Sequence, residues 1–287
     1  MTRSCLSGFL LALLFSSLIS DTAHAGRWPY PPKLAGAKEE VYREVGDTKL
    51  KVWIFEPKGK SSTPRPAVVF FFGGGWIGGS PMQFEDQCRH FAELGMVAMT
   101  ADYRVSSRQK AKPTDCVTDA KACVAWIRKN ATRLGIDPEK IAAAGGSAGG
   151  HVAACTGTVP GFGSDEHPNA MILFNPGLVM APWQGHRFEG FGSNITDEKR
   201  GAKAEAISPI HHIDKDTPPT LIFHGTKDST VPYATVEAFT KAMKNAGRTC
   251  QLVGFEGEGH AFFNKDPIKK QTLDESDHFL RKLGWVK

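Results

Sequence analysis

The stretch that decides the fold is IAAAGGSAGGHVAA, at residues 141–154. It begins with a short apolar run, passes through Gly-x-Ser-x-Gly centred on Ser147, and continues into small residues. Such a run is typical of a strand buried on both faces, and the small residues after it predict a helix. The glycines permit a sharp turn in which the serine takes a strained backbone conformation and its hydroxyl points away from the sheet. The alternative is a glycine-rich turn without a chemical role.

Short apolar runs and helical patterns alternate along the rest of the chain. The apolar runs cover residues 67–72, 96–101, 141–145, 171–174, 220–223 and 250–255, and a run with period-two alternation covers 49–55. The helical patterns cover residues 80–94, 117–127, 236–243 and 267–283. This alternation predicts an α/β fold with one doubly wound, mostly parallel sheet covered by helices on both faces. We expect residues 26–287 to form this single domain, with the irregular stretch 177–219 as an insertion over the site.

The first 25 residues have the pattern of a cleavable secretory signal. Arg3 gives a basic start, residues 6–19 are almost all apolar or small, and AHA at 23–25 has the small-x-small form that signal peptidases cut. A membrane anchor is the alternative, but the uninterrupted apolar core at 8–15 is far below the roughly 20 residues needed to span a bilayer. No later stretch is long enough to span. We therefore expect a secreted or periplasmic protein that begins near Gly26.

The composition excludes several classes of protein. Of the 287 residues, 41% are hydrophobic, which is too many for a disordered chain, and 30 Gly are too few for collagen. The net charge of +5 is spread along the chain without a long basic run, so we expect no nucleic-acid partner. Cysteines after residue 25 are odd in number, and none has Cys-x-x-Cys spacing. Cys116 and Cys123 are about 10.5 Å apart along a predicted helix, which is too far for a disulfide.

Two segments after Ser147 supply the groups that would activate its hydroxyl. A serine hydroxyl needs an imidazole to take its proton and a carboxylate to orient that imidazole. HGTKD at residues 224–228 and EGHAF at 258–262 both follow predicted strands. The chain order Ser147, Asp228, His260 is the order found in α/β-hydrolases and differs from that of the two best-known protease folds. These three residues are therefore the candidate catalytic triad.

The remaining histidines fit this chemistry less well. We expect His151, in the helix after the turn, to pack or to cap, and His224 falls within a strand end. His211 and His212 could ligate a metal, but no carboxylate or third histidine stands at a recognisable metal-site spacing. We therefore expect a solvated loop at these two residues, and no metal.

A glycine-rich motif, FFFGGGW at residues 70–76, supplies the third part of a candidate acyl-transfer site. Backbone N–H groups on such a loop can stabilise an oxyanion without side chains in the way, and α/β-hydrolases place this loop after the third strand. We predict that the amides of Gly74, Gly75 and Ala148 form the oxyanion hole. A phosphate-binding loop is the alternative, and it fails because neither a Gly-Lys-Ser/Thr ending nor a GxGxxG opening of a helix is present.

From about residue 50 to residue 283 the chain resembles the α/β-hydrolase esterases related to hormone-sensitive lipase, especially the secreted bacterial branch of carbohydrate (acetyl-xylan or feruloyl) esterases. The motifs that match in order and spacing are FGGGW at 72–76, ADYR at 101–104, GIDP at 135–138, GGSAGGH at 145–151, HGTKD at 224–228 and GEGHAF at 257–262. The resemblance implies Ser147 as the nucleophile, His260 as the base and Asp228 as its orienting acid. It also implies that no cofactor is required.

Two departures from the family pattern bear on the site. In the family a His usually stands where this chain has Phe72, and that His holds the glycine loop by a hydrogen bond. Apolar packing would have to hold the loop here. Many relatives also carry a large N-terminal helical cap, for which the Pro-rich residues 26–47 are too few. We therefore expect a small cap or none, and an open cleft that suits a bulky or polymeric substrate.

The expected reaction is hydrolysis of short-acyl carboxylic esters, with acetyl or feruloyl esters on plant polysaccharide as the expected substrates. A serine peptidase of the prolyl-oligopeptidase type uses the same triad order, but such proteins usually add a large propeller domain. A catalytically inactive hydrolase fold that serves as a binding module is the second alternative, although such modules typically lose a triad member. Trp76, Trp183, Phe162 and Phe191 could stack on sugar rings or serve as packing residues. The oligomeric state is left open.

Overall fold

Eight strands form one sheet in the computed structural model, which describes residues 28–59, 61–190, 192 and 194–287. The strands are β1 (Lys38–Val45), β2 (Thr48–Phe55), β3 (Arg65–Phe71), β4 (Val97–Ala101), β5 (Ile136–Gly146), β6 (Ala170–Phe174), β7 (Thr220–Gly225) and β8 (Cys250–Phe255). Their order across the sheet is β1-β2-β4-β3-β5-β6-β7-β8. β2 is antiparallel to both β1 and β4, and every later pair is parallel. The expected signal at 1–25 and Phe191 lie outside the described residues.

Helices cover both faces of the sheet. They are α1 (Glu85–Glu93), α2 (Ser106–Gln109), α3 (Pro113–Lys129), α4 (Ala131–Leu134), α5 (Ala148–Thr158), α6 (Asp197–Arg200), α7 (Tyr233–Asn245) and α8 (Ile268–Lys282). Short 3₁₀ helices lie at Pro81–Phe84, Ala204–Ile207, Pro209–His212 and Phe262–Asn264. Buried side chains of α3, α5 and α7 pack on one face, and those of α1 and α8 on the other. The predicted doubly wound, single-domain α/β fold is therefore confirmed. Among these helices, none combines the length and apolarity needed to cross a bilayer.

The central strands are apolar throughout because helices lie on both sides of them. In β3, Val69 belongs to the apolar cluster that contains α3 and α5, whereas Val68 belongs to the cluster that contains α1. Val69 lies beside Met99 of β4 and Ala143 of β5 in parallel register. Full burial of a side chain of this size contributes roughly 1.5–3 kcal/mol. The parallel strands bring their carboxyl ends to one edge of the sheet, which is where open α/β sheets place their binding sites.

Several element boundaries differ from the sequence prediction. The edge strand β1 was not predicted, and β5 begins at Ile136 rather than at residue 141. Ser80 caps its helix as expected, since its side chain accepts the N–H of Met82, but the first turn is 3₁₀ and α1 begins only at Glu85. Gly135 ends α4 with a left-handed φ of 65°. These differences leave the order of strands and helices unchanged.

The described part of the N-terminal segment contains no large cap. Residues 28–37 are irregular and lead directly into β1, and no helix lies within 28–47. The segment between β6 and β7 instead borders the site. A Cβ placed on Gly192 would lie 3.6 Å from the Trp76 ring, and one on Gly190 would lie 3.0 Å from the carbonyl oxygen of Thr230. The five cysteines of the described chain are all buried and free.

Candidate active site

Ser147 occupies a sharp turn between β5 and α5. Its φ of 54° and ψ of −119° are unusual for a residue with a side chain, and its N–H donates to the carbonyl of Phe174 over 2.9 Å. A Cβ on Gly149 would lie 2.0 Å from the carbonyl oxygen of Phe71, and one on Gly145 would lie 2.4 Å from that of Gly149. Only glycine fits at both positions. This close approach of strand and helix creates the turn that the sequence pattern predicted.

The structure brings the side chains of Ser147, Asp228 and His260 into one hydrogen-bonded line. Ser147 Oγ lies 2.8 Å from His260 Nε2, and His260 Nδ1 lies 2.7 Å from Asp228 Oδ2. The network assigns the proton of the neutral imidazole to Nδ1, which donates to the carboxylate and leaves Nε2 to accept the serine hydroxyl. These three residues follow β5, β7 and β8, so their proximity results from the parallel order of these strands.

The carboxylate of Asp228 is buried and fully hydrogen-bonded. Its Oδ1 accepts the N–H groups of Thr230 and Val231, both over 2.9 Å, while its Oδ2 faces His260 and His224. Burial by itself would raise the pKa of Asp228. The contacts of the carboxylate with His224 and His260, together with the bond from the Val231 N–H, outweigh burial and hold that pKa well below its ordinary value. The carboxylate is therefore ionised at neutral pH, with its negative charge beside His260 Nδ1.

His224 is a part of the site that the sequence analysis did not assign. It lies near the end of β7, as expected, and is fully buried. Its Nε2 lies 2.8 Å from the carbonyl oxygen of Val231, to which it donates, and 3.3 Å from Asp228 Oδ2. The motif HGTKD contained a signal for this contact, because the turn after a strand can bring residues four apart together. His224 thus gives the carboxylate a second imidazole neighbour.

The glycine loop passes directly beside the serine. A Cβ on Gly73 would lie 3.3 Å from Ser147 Cβ. Gly74 and Gly75 follow with φ values of 125° and 61°, a region of backbone conformation that favours glycine. Ala148 is the first residue of α5, and the first N–H groups of a helix have no partner within that helix. The structure thus places all three predicted oxyanion donors in the two segments that flank Ser147.

Hydrogen bonds as well as apolar packing hold the glycine loop. The Phe72 ring stacks on Tyr103 with the ring centroids 4.2 Å apart, which is the apolar contact that the sequence led us to expect. In addition, the Tyr103 hydroxyl donates to the carbonyl of Phe72 over 2.6 Å. The N–H of Gly73 donates to Gln83 Oε1, also over 2.6 Å. The expectation of apolar packing alone was therefore incomplete.

Asn175 is a further residue of the site that the sequence analysis missed. It follows β6 directly and has a left-handed φ of 35°. Its Oδ1 accepts the N–H of Ala261 over 3.1 Å, and its Nδ2 lies 3.4 Å from His260 Nε2. A single asparagine after a strand gives no pattern from which these contacts could be predicted. Asn175 fixes the segment that carries the imidazole.

His151 and Trp76 are packing residues. His151 is fully buried, donates from Nε2 to the carbonyl of Ile207 over 2.7 Å, and meets the Trp76 ring edge-on. Burial lowers the pKa of His151 to about 4, so it is neutral at physiological pH. The expected packing role of His151 is confirmed. Trp76 is only 3% exposed, so of the two roles considered for it, packing rather than stacking on a sugar ring fits its position.

His211 and His212 do not lie in a solvated loop, contrary to expectation. They belong to the 3₁₀ helix Pro209–His212 and are half-buried. His211 Nε2 lies 3.1 Å from the carbonyl of Pro182, and His212 Nε2 lies 2.8 Å from that of Glu205. Each imidazole thus bonds to a backbone carbonyl. Within the described residues, no three His, Cys, Asp or Glu side chains are grouped as a metal site would require.

Comparison with known families agrees with this geometry. The profile of the alpha/beta hydrolase fold family matches residues 68–264, which is more than half of the chain. The chain therefore belongs to the alpha/beta hydrolase family. Relatives within that family are named as esterases or as a probable carboxylic ester hydrolase.

The similarity extends to solved structures and to curated sequences. The native structure of esterase 2 from the planctomycete Thermogutta terrifontis is 46% identical, with a TM-score of 0.85 over 91% of this chain and 98% of that chain. The same esterase with propionate bound is 47% identical, with a TM-score of 0.84 over 90% and 98%. Esterase LipC of Mycobacterium tuberculosis is 29% identical over 85% of this chain and 67% of LipC. The chain spans 53% to 67% of the length of the first three curated relatives.

Proposed function

We propose that the protein hydrolyses carboxylic esters of short acyl groups, with Ser147 as nucleophile, His260 as general base and Asp228 as the acid that orients the base. The observation that carries this proposal is the pair of hydrogen bonds, 2.8 Å and 2.7 Å long, that joins the three side chains. Each distance is within the reach that proton transfer requires. The strained turn at Ser147 supports the same role, because strained residues cluster at functional sites.

The proposed reaction has two steps that use the same groups. In the first, Ser147 Oγ attacks the acyl carbon while its proton passes to His260 Nε2. The tetrahedral intermediate then collapses, and His260 gives the proton to the leaving alcohol as the acyl-enzyme forms. In the second, His260 takes a proton from water, the resulting hydroxide attacks the acyl carbon, and His260 returns the proton to Ser147 as the acid leaves. The buried charge of Asp228 stabilises the imidazolium in both steps.

The oxyanion of each intermediate is assigned to the amides of Gly74, Gly75 and Ala148. Support comes from the contact between Gly73 and Ser147 and from the position of Ala148 at the start of α5. Backbone donors held in place before the reaction need no reorganisation when the charge forms. Removal of one side-chain donor from the oxyanion hole of another hydrolase costs about 10²–10³ in kcat, so we expect this loop to supply a large share of the catalysis.

We further propose that the acyl group is acetyl or similarly short, or feruloyl, and that the alcohol belongs to a bulky substrate such as plant polysaccharide. Propionate bound by the Thermogutta relative favours a short acid. The absence of a helix within residues 28–47 favours access for a large alcohol. Ile77, at the tip of the glycine loop, is 55% exposed and offers an apolar contact beside the oxyanion amides.

Rates on a series of p-nitrophenyl esters test the acyl preference, and acetate and ferulate release from xylan tests the alcohol. We expect acetate and propionate esters to give the highest kcat/KM. A purified enzyme that is fastest on decanoate or longer esters would contradict the short-acyl proposal. Faster cleavage of a peptidyl amide than of the matched ester would favour a peptidase, and no reaction with a fluorophosphonate would favour an inactive binding module.

We also propose that residues 1–25 are removed on export and that residues 26–287 form the mature enzyme in the periplasm or outside the cell. The support is the basic start, apolar core and AHA at 23–25. Mass spectrometry of the enzyme purified from the secreted or periplasmic fraction should give an N-terminus near Gly26. An intact N-terminus on a cytoplasmic protein would refute export.

A further inference from the structure

Two loops that the proposed reaction needs meet at one side chain, Gln83. The glycine loop carries the oxyanion donors, and residues 258–264 carry His260. Gln83, in the 3₁₀ helix Pro81–Phe84, accepts the N–H of Gly73 at Oε1 over 2.6 Å. Its Nε2 donates to Asn264 Oδ1 over 3.3 Å, although the two residues are 181 apart in sequence. One amide group therefore links both sides of the site.

The link continues from Asn264 to the residue next to His260. Asn264 Nδ2 donates to the carbonyl of Ala261 over 3.1 Å. Ala261 has a left-handed φ of 64°, which is uncommon for a residue with a Cβ, and its N–H is held by Asn175 Oδ1. Both polar groups of Ala261 are thus fixed by asparagine side chains. Because Ala261 directly follows His260, this clamp sets the backbone from which the imidazole projects.

The chemistry of the amide explains why glutamine suits this position. The backbone N–H of Gly73 requires an acceptor and Asn264 Oδ1 requires a donor, and a glutamine amide offers one of each. Lysine could not accept, and an ionised glutamate could not donate. A glutamate would also place a negative charge near the oxyanion. Gln83 supplies both bonds without adding charge.

We propose that Gln83 is a positioning residue that couples the oxyanion loop to the His260 loop through Asn264. The inference rests on the proposed function and assigns to Gln83 no contact with the substrate. It accounts for how this chain holds its glycine loop with Phe72 in the place of the family histidine. The two loops then keep a common geometry around Ser147, and a misplacement of about 1 Å at such a site can cost about 10²-fold in rate.

Gln83→Met tests the proposal because methionine keeps the length of the side chain and removes both bonds. We expect kcat on p-nitrophenyl acetate to fall about 10-fold to 100-fold while KM changes less than about threefold. Affinity for a trifluoromethyl ketone analogue should fall in parallel with kcat/KM, since such analogues report transition-state binding. A loss of folding alone would lower the amount of active enzyme without changing the KM or the analogue affinity of the remainder.

Gln87→Met is the matched control. Gln87 lies one turn along in α1, is 1% exposed, and its amide atoms have no hydrogen-bond partner among the described residues. This variant should keep the kcat, KM and analogue affinity of the wild type. Equal behaviour of Gln83→Met and Gln87→Met would overturn the inference. Ser147→Ala in the same assay tests the proposed function separately, so the two failures are distinguishable.

Asn264→Ala tests the coupling from its other end and serves if Gln83→Met does not fold. It should also lower kcat, because it removes the side-chain bonds to Gln83 and to the Ala261 carbonyl, although the backbone N–H of residue 264 still donates to that carbonyl over 3.2 Å. The double variant should lose less than the product of the two single losses, since either change alone already breaks the bond between Gln83 and Asn264. Losses that multiply would show that the two side chains act independently, and they would refute the coupling.

Discussion

Replacement of Asp228 by Asn should stop the imidazole from acting as a base while leaving the fold intact. The two backbone N–H groups of Thr230 and Val231 bind Oδ1 and must continue to meet an oxygen. The amide of the introduced asparagine would therefore turn its oxygen towards them and its NH₂ towards His260 Nδ1, which lies 2.7 Å from the present carboxylate. Nδ1 would then have to accept, and the proton would move to Nε2. That tautomer cannot take the proton of Ser147 Oγ.

The expected loss is about 10⁴ in kcat, which corresponds to about 5.4 kcal/mol of transition-state stabilisation. Hydrolysis of p-nitrophenyl acetate measures this loss, and KM should change little because Asp228 does not contact the substrate. Asp277→Asn is the matched control. Asp277 is 7% exposed and pairs with His90 at 2.8 Å between α8 and α1, away from the site. This control should keep kcat within about twofold. A kcat in Asp228→Asn above about a tenth of the wild-type value would refute the orienting role.

Three further outcomes are expected. Gly149→Ala should destabilise the protein by about 1–3 kcal/mol or more in chemical denaturation, because its Cβ would lie 2.0 Å from the Phe71 carbonyl oxygen; an unchanged midpoint would contradict the packing of the turn. The folded state holds the pKa of Asp228 below its ordinary value, so the ionised carboxylate stabilises the fold above about pH 4, and this stabilisation is lost as the pH falls further. The difference in melting temperature between the wild type and Asp228→Asn should therefore shrink below that pH. A difference that stays constant would contradict this expectation. The five buried thiols, with burial raising the pKa of Cys250 to about 11, should resist a chromogenic disulfide reagent at neutral pH until guanidinium unfolds the chain; rapid labelling of the native protein at any of them would contradict their burial.

The sequence predicted the central sheet well because buried parallel strands are nearly continuous apolar runs. Edge strand β1 gave no such signal. Its residues are mostly charged, only Tyr42 is buried, and the strand pairs with β2 alone. Such a strand forms because the backbone of β2 has unpaired hydrogen-bonding groups along one edge. The hydrophobic pattern of β1 itself does not indicate this pairing. The helix after Ser80 could be predicted because a helix cap, like a buried strand, is recognised from a few neighbouring residues. The 3₁₀ conformation of its first turn could not be predicted in this way.

The residues of the triad could be proposed from sequence because the chemistry demands specific residue types at strand ends. The contacts that support them could not. Gln83 and Asn264 are 181 residues apart, and no local sequence pattern indicates that two side-chain amides so far apart form a hydrogen bond. Trp76 was ambiguous for another reason. Whether an aromatic beside a glycine loop is exposed depends on segments distant in sequence, and here Gly192 and the His151 ring lie against the Trp76 ring.

Covalent labelling of Ser147 tests the proposed mechanism most directly. A fluorophosphonate reacts with an activated serine, and digestion followed by mass spectrometry locates the adduct. We expect a single adduct on Ser147 in the wild type, none in Ser147→Ala, and a loss of p-nitrophenyl acetate hydrolysis in that variant of about 10⁴ or more. An adduct on a different residue, or near-normal hydrolysis by Ser147→Ala, would contradict the assignment of the site.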